Sequence, residues 1–205
     1  MLRSLQKILM SSLALVAAGF LFTAPASAAG DPVRGKTLGY TCLGCHGIET
    51  YKNVYPTYSV PKLRGQHAEY IVAALKEYRD SQRGHATMHA HASTLSDQDM
   101  EDIAAYMAGD VVKATGGEPV GKAPAALATC QACHGREGVG IIGIYPTLTG
   151  QHADYVEHAL NSYRSGARKN AIMAPFASQL KPEEIKEMAR YFSRQKLALK
   201  TVPKK

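Results

Sequence analysis

The chain has 205 residues, of which 45% are hydrophobic and 20% charged, with four Cys and no Trp. That length fits one or two domains, and this composition excludes a disordered chain. The formal net charge is +7, yet no Arg stripe interleaves with aromatic residues and no helix-turn-helix pattern occurs, which excludes a nucleic-acid partner.

In chain order, Arg3 and Lys7 precede an apolar stretch from Ile8 to Phe22, followed by Ala26-Ser27-Ala28. This is the plan of a secretory signal peptide over residues 1–28, cleaved after Ala28. About 15 apolar residues fall short of the ~20 that span a bilayer. Without this segment the net charge is +5, unevenly spread. Asp31 to Asp110 carries 8 basic and 10 acidic residues (−2), and Val111 to Lys205 carries 14 and 7 (+7).

Asp31-Pro32 starts a helix, with an N-cap acid and Pro in the first turn. Cys42-Leu43-Gly44-Cys45-His46-Gly47 follows. Tyr70, Ile71, Ala74, Leu75 and Tyr78 recur at helical spacing, and Met88 falls in the loop beyond. Ser96, with Asp99 three later, caps a helix whose Met100, Ile103, Ala104 and Met107 share a face. Gly109 to Pro124 is rich in Gly, Pro and Lys and reads as a linker, centred on residues 111–122. Then the pattern repeats, through Cys130-Gln131-Ala132-Cys133-His134-Gly135. Tyr155, Val156, Ala159, Leu160 and Tyr163 form the next helical face, and Met173 lies in a loop. A last helix after Pro182 carries Ile185, Met188, Ala189 and Phe192. Arg194 through Lys205 reads as a basic, solvated tail.

The two halves match residue by residue. The offset is 88 at the Cys motif and 85 from Gly65 onward, where Gly65-Gln66-His67 meets Gly150-Gln151-His152, Arg83 meets Arg168 and Met88 meets Met173. A unit of about 80 residues exceeds a solenoid repeat and suits two small domains, residues 29–110 and 123–205. Each unit reads as all-α, with three main helices and a core thin enough to need a staple.

Cys-x-x-Cys-His is the attachment signal for a c-type haem. Cys42 and Cys45, and Cys130 and Cys133, form thioethers to two haem c groups, and His46 and His134 follow as iron ligands. A zinc site would have to join pairs from separate repeats, and neither a disulfide nor a thioredoxin-like motif explains His after both pairs. Met88 and Met173 occupy matching positions downstream and are candidates for the opposite iron face. His85, His89 and His91 crowd Met88, and an imidazole there is an alternative ligand.

With these motifs, with Val60-Pro61-Lys62-Leu63-Arg64-Gly65-Gln66 and Tyr145-Pro146-Thr147-Leu148-Thr149-Gly150-Gln151, and with the Met loops, the chain resembles the diheme cytochrome c4 family. The resemblance covers nearly all of the mature chain. It implies two tandem cytochrome c-like domains, each wrapped around one covalently bound haem c. It also implies His/Met ligation of both irons, haems facing across the domain interface, Pro61 and Pro146 near the motif histidines, and periplasmic electron transfer. Tyr78, Arg79, Tyr163 and Arg164 would brace the haem or interface.

An iron held by two protein ligands has no position for substrate, so electron transfer rather than catalysis is expected. The partners are redox proteins: a membrane-bound oxidase, a quinol-cytochrome c oxidoreductase or a dehydrogenase, with membrane contact only through them. An electron-accepting subunit of a sulfide or thiosulfate dehydrogenase is the alternative, and a diheme peroxidase a more distant one. The charge difference between halves predicts unequal potentials, the basic half's haem being the higher.

Overall fold

The computed structural model describes residues 30–204, so the signal-peptide segment lies outside the described residues. Among these there are nine helices and no strand. The first unit holds α1 (Pro32–Leu38), α2 (Leu43–His46), α3 (Ala68–Arg79), α4 (Ala86–Ala92) and α5 (Asp97–Ala108). The second holds α6 (Leu127–His134), α7 (Ala153–Ser165), α8 (Met173–Gln179) and α9 (Pro182–Ser193).

Three helices per unit is therefore an undercount. The Cys motifs form short helices of their own, and so do the segments carrying the methionines. Met88 is the third residue of α4, and Met173 opens α8, so neither sits in a loop. The cause is local capping: the His85 side chain accepts from the Met88 N–H, and Asn170 Oδ1 accepts from the N–H groups of Ile172 and Met173. The second unit lacks a counterpart of α1. Pro124 occupies the repeat position of Lys36, the middle of that helix, where a missing N–H and a ring clash forbid helix.

Helix starts follow the capping rules. Asp31 caps α1 with Pro at its first position, and Ser96 and Asp99 form a reciprocal capping box on α5. In the first unit α1 crosses α5 closely enough that a Cβ on Gly35 would lie 1.9 Å from the Asp102 carbonyl oxygen, so only glycine fits. The apolar stripe of α5 (Met100, Ile103, Ala104, Met107) joins Leu43, Ile71 and Leu75 in one core. In the second unit Leu127, Met188, Tyr191 and Phe192 form the corresponding cluster.

The two units meet along a pseudo-twofold axis generated by the repeat, and its hydrogen bonds come in matched pairs. Gln66 donates to the Thr147 carbonyl (2.9 Å) and accepts from the Thr147 N–H (2.8 Å). Gln151, its repeat mate, does the same to Lys62, at 3.0 Å for both bonds. Gly84 N–H donates to the Ala167 carbonyl and Lys169 N–H to the Gln82 carbonyl. A self-complementary interface of this kind is what twofold symmetry imposes.

The C-terminal segment is not a solvated tail. Leu199 and Val202 are each 1% exposed, while Lys200 and Lys204 between and beyond them face water. This strap runs from the second unit back onto the first, where Val202 joins the core built around α5. Its two described lysines therefore carry their charge on the first unit. That changes the unit charges from −2 and +7 to 0 and +5.

Two outcomes follow. Truncating either interface glutamine, Gln66→Ala or Gln151→Ala, leaves a backbone N–H and carbonyl unpaired, buried at Thr147 and half-buried at Lys62, and should cost about 1–3 kcal/mol in denaturant unfolding; a loss under about 0.5 kcal/mol for both would show the bonds to be incidental. Asp102 is buried where α1 crosses α5. Bonds from the Asp31 N–H and Gln98, and its pair with Arg34, hold its carboxyl below the usual carboxylate range. A lowered folded pKa contributes stability that is full above the unfolded value, ~3.9, and is lost as pH falls through the folded one. Stability should fall below about pH 4, and Asp102→Asn should flatten that acid limb; an unchanged slope would rule the residue out.

Two candidate haem cavities

Each Cys motif lies at the wall of an apolar cavity. In the first unit a cleft of about 940 Å³ is lined by Cys45, His46, Met88, Pro61, Leu63 and Ile71, among others. In the second, clefts of about 610 and 1020 Å³ share Cys130, His134, Pro146, Tyr163 and Met173, and Cys133 lines the larger. Cys42 sits beside the first core cluster, one helical turn from Cys45. All four cysteines are half-buried and none is in a disulfide. Burial pushes the Cys42 and Cys130 thiols above their ordinary pKa.

The motif histidines share one geometry. His46 Nδ1 lies 3.0 Å from the Pro61 carbonyl, and His134 Nδ1 lies 2.8 Å from the Pro146 carbonyl. A carbonyl only accepts, so Nδ1 carries the hydrogen in both rings and Nε2 presents its lone pair to the cavity. Burial lowers the pKa of both imidazoles, partly offset by that carbonyl bond, and so favours the neutral, ligating form. Pro61 and Pro146 thus stand beside the histidines, as the resemblance implies.

Of the residues around Met88, His85 lines the first cavity, and His89 and His91 are exposed and do not. Both His85 nitrogens are engaged. Nδ1 accepts from the Met88 N–H at 3.2 Å, so Nε2 carries the hydrogen and donates to Asn53 Oδ1 at 3.1 Å. His89 Nδ1 donates to the Tyr78 carbonyl at 2.8 Å. The Met88 thioether is the soft donor left facing the cavity.

Between the cavities lies a cluster of Arg and Tyr in which Tyr78 and Tyr163 stand where expected, while Arg79 and Arg164 do not take part. Arg79 pairs with Asp80 and Asp97 at the surface, and Arg164 is exposed. The buried guanidiniums are Arg83 and Arg168, each 5% exposed. They stack on Tyr78 and Tyr163 and converge on one acceptor, Tyr155 Oη, at 2.7 and 3.2 Å. Arg83 Nε is buried without a hydrogen-bond partner, and its Nη1 is 3.7 Å from Glu77. The matched pair Arg83 and Arg168 in the repeat was the available signal; only the side-chain directions separate them from Arg79 and Arg164.

These features fit a covalently held porphyrin. The cavities have cofactor dimensions and apolar walls. The donor set is thiol pairs, imidazole lone pairs and thioethers, with buried guanidinium for a carboxylated edge.

Comparisons with known proteins agree. The family described as cytochrome c matches residues 32–109, and the one described as cytochrome C oxidase, cbb3-type, subunit III matches residues 122–192. Cytochrome c4 of Pseudomonas aeruginosa is 33% identical over 185 residues, covering 82% of this chain and 90% of that protein. A protein of Stutzerimonas stutzeri named thiosulfate dehydrogenase electron acceptor is 29% identical, covering 74% of this chain and 77% of its own. Among solved structures, reduced recombinant cytochrome c4 from Pseudomonas stutzeri aligns with TM-score 0.63 at 29% identity, covering 80% of this chain and 98% of that one.

Proposed function

The chain belongs to the cytochrome c4 family, and from that premise we propose that it carries single electrons between respiratory redox proteins in the periplasm, with His46 and Met88 as axial ligands of one iron and His134 and Met173 of the other. It is a diheme electron-transfer cytochrome whose two haem c groups are bound covalently through Cys42 and Cys45 and through Cys130 and Cys133. The observation that carries the ligand assignment is the repeated geometry: in both units a Pro carbonyl orients the motif imidazole, and a Met lines the same cavity.

When bound, each haem supplies a one-electron ferrous/ferric couple. The Nδ1–H bonds hold the two imidazoles in one tautomer and one orientation, so the donor atom does not move between oxidation states. Thioether donors favour the reduced metal and raise the potential. Leu63, Ile71 and Leu75 in the first cavity, and Val156, Leu160 and Phe192 in the second, exclude water. Arg83 and Arg168 place positive charge between the sites. Exposed Ile144, Ile172 and Phe176 at the second cavity give a partner an apolar surface to dock on.

Among the described residues no helix is long and apolar enough to cross a membrane, and the proposed export rests on the N-terminal segment. The donor is a quinol-oxidising complex and the acceptor a terminal oxidase. A second reading, the electron acceptor of a dehydrogenase, is favoured by the likeness to the Stutzerimonas protein; co-purification with a catalytic partner would select it.

The far-red Met-to-ferric-iron band should fall by roughly half in Met88→Ala and again in Met173→Ala, and each variant should lower one of two resolved midpoints in a redox titration. A full band in either variant removes that methionine as ligand. Two indistinguishable wild-type midpoints would refute the unequal sites, and rapid carbon monoxide binding at neutral pH would revive an open iron.

A further inference from the structure

The strap touches the first haem site at two places, both of which govern His46. Val202 N–H donates to the His46 carbonyl at 3.1 Å, at the C-terminal end of α2, where helix carbonyls lack intrahelical partners. Two positions earlier, Lys200 exchanges a pair of backbone bonds with Arg64, at 2.9 and 3.0 Å. Arg64 is three residues past Pro61, whose carbonyl receives the His46 ring hydrogen. One short segment therefore fixes both the main chain of His46 and the segment that orients its imidazole. The Val202 side chain is buried in the adjacent core, and Tyr106 donates to the Pro203 carbonyl at 3.4 Å. Lys204 packs over Gly47, just past the motif: a Cβ built on that glycine would come within 3.1 Å of the lysine stem.

The strap also touches the second site, where Leu199 N–H donates to the carbonyl of Thr149, the repeat mate of Arg64, at 3.0 Å, so the bond to the His46 carbonyl is what sets the first site apart. In the second site the Cys133 carbonyl accepts from the Ile141 N–H at 3.0 Å, eight residues on.

We propose that Val202 makes residues 200–203 a positioning element of the first haem site, holding His46 against Pro61, so that the strap tunes the first iron more than the second. This rests on the reading of His46 as an iron ligand. The Nδ1–H bond makes an imidazole a stronger donor and stabilises ferric iron. Loosening either the His46 main chain or the Pro61 segment weakens that bond, so the first potential should rise.

The test uses full-length holoprotein. Val202→Pro removes the N–H to His46 and keeps an apolar side chain; Val202→Ala keeps the N–H and removes apolar volume. Val202→Pro should raise the lower or upper midpoint assigned to the first haem by Met88→Ala and leave the other in place. Val202→Ala should lower Tm with both midpoints unmoved. Equal shifts of both midpoints, or a loss of Tm in Val202→Pro with neither midpoint moved, would overturn the proposal by reducing the strap to packing. Should Val202→Pro not accumulate, Lys200→Pro removes the donor to Arg64 and is expected to shift the same single midpoint, with no shift counting against the strap. The reading of His46 as a ligand is tested separately, by carbon monoxide binding to the ferrous first iron in His46→Ala and not in the wild type, so the two can fail independently.

Discussion

The hydrogen bond from a motif imidazole to a proline carbonyl, His46 to Pro61 and His134 to Pro146, sets the terms for everything around it. By holding the hydrogen on Nδ1 it leaves one nitrogen free, aimed at the cavity and uncharged. The cavity walls then have only to stay dry and to carry the methionines, Met88 and Met173, that line them. Both tasks fall to ordinary packing: the buried faces of α3 and α7 and the caps that turn the Met segments into α4 and α8. Each cavity is thus a rigid socket with few degrees of freedom, the condition under which an iron changes charge with little structural response.

The interface obeys a different rule. Because the chain is a repeat, any bond a residue makes across the axis is offered again by its mate, and Gln66 with Gln151 shows the result. The Arg83 and Arg168 cluster departs from that symmetry. Both guanidiniums choose Tyr155, while Tyr70, its mate, is left with a 3.5 Å contact from Arg83. Two near-identical units therefore face each other across an electrostatically unequal seam. The strap reduces the charge imbalance between units, which makes local asymmetry of this sort a larger share of what distinguishes the two irons.

Much of this was legible in the chain. The doubled Cys-x-x-Cys-His, the caps at Asp31 and Ser96, and the apolar faces around Met100 and Met188 all rest on short-range chemistry. What was not legible depends on tertiary direction. Periodicity cannot show that Arg83 turns inward and Arg79 outward, since both sit near one helix end. Seven-residue helices such as α4 and α8 are shorter than the window in which a 3.6-residue period can be seen. Gln66 and Gln151 stood out as repeat mates without any sign that they grip the opposite unit. Leu199 and Val202, set among lysines, look like a solvated tail until the groove that buries them is known.

That groove imposes an order on assembly. Val202 follows His46 by 156 positions, so the first unit to be made is the last to be finished. A contact so distant closes slowly and only after the second unit has folded beside it. Until then the His46 carbonyl, at the C-terminal end of α2, is without the N–H that Val202 gives it.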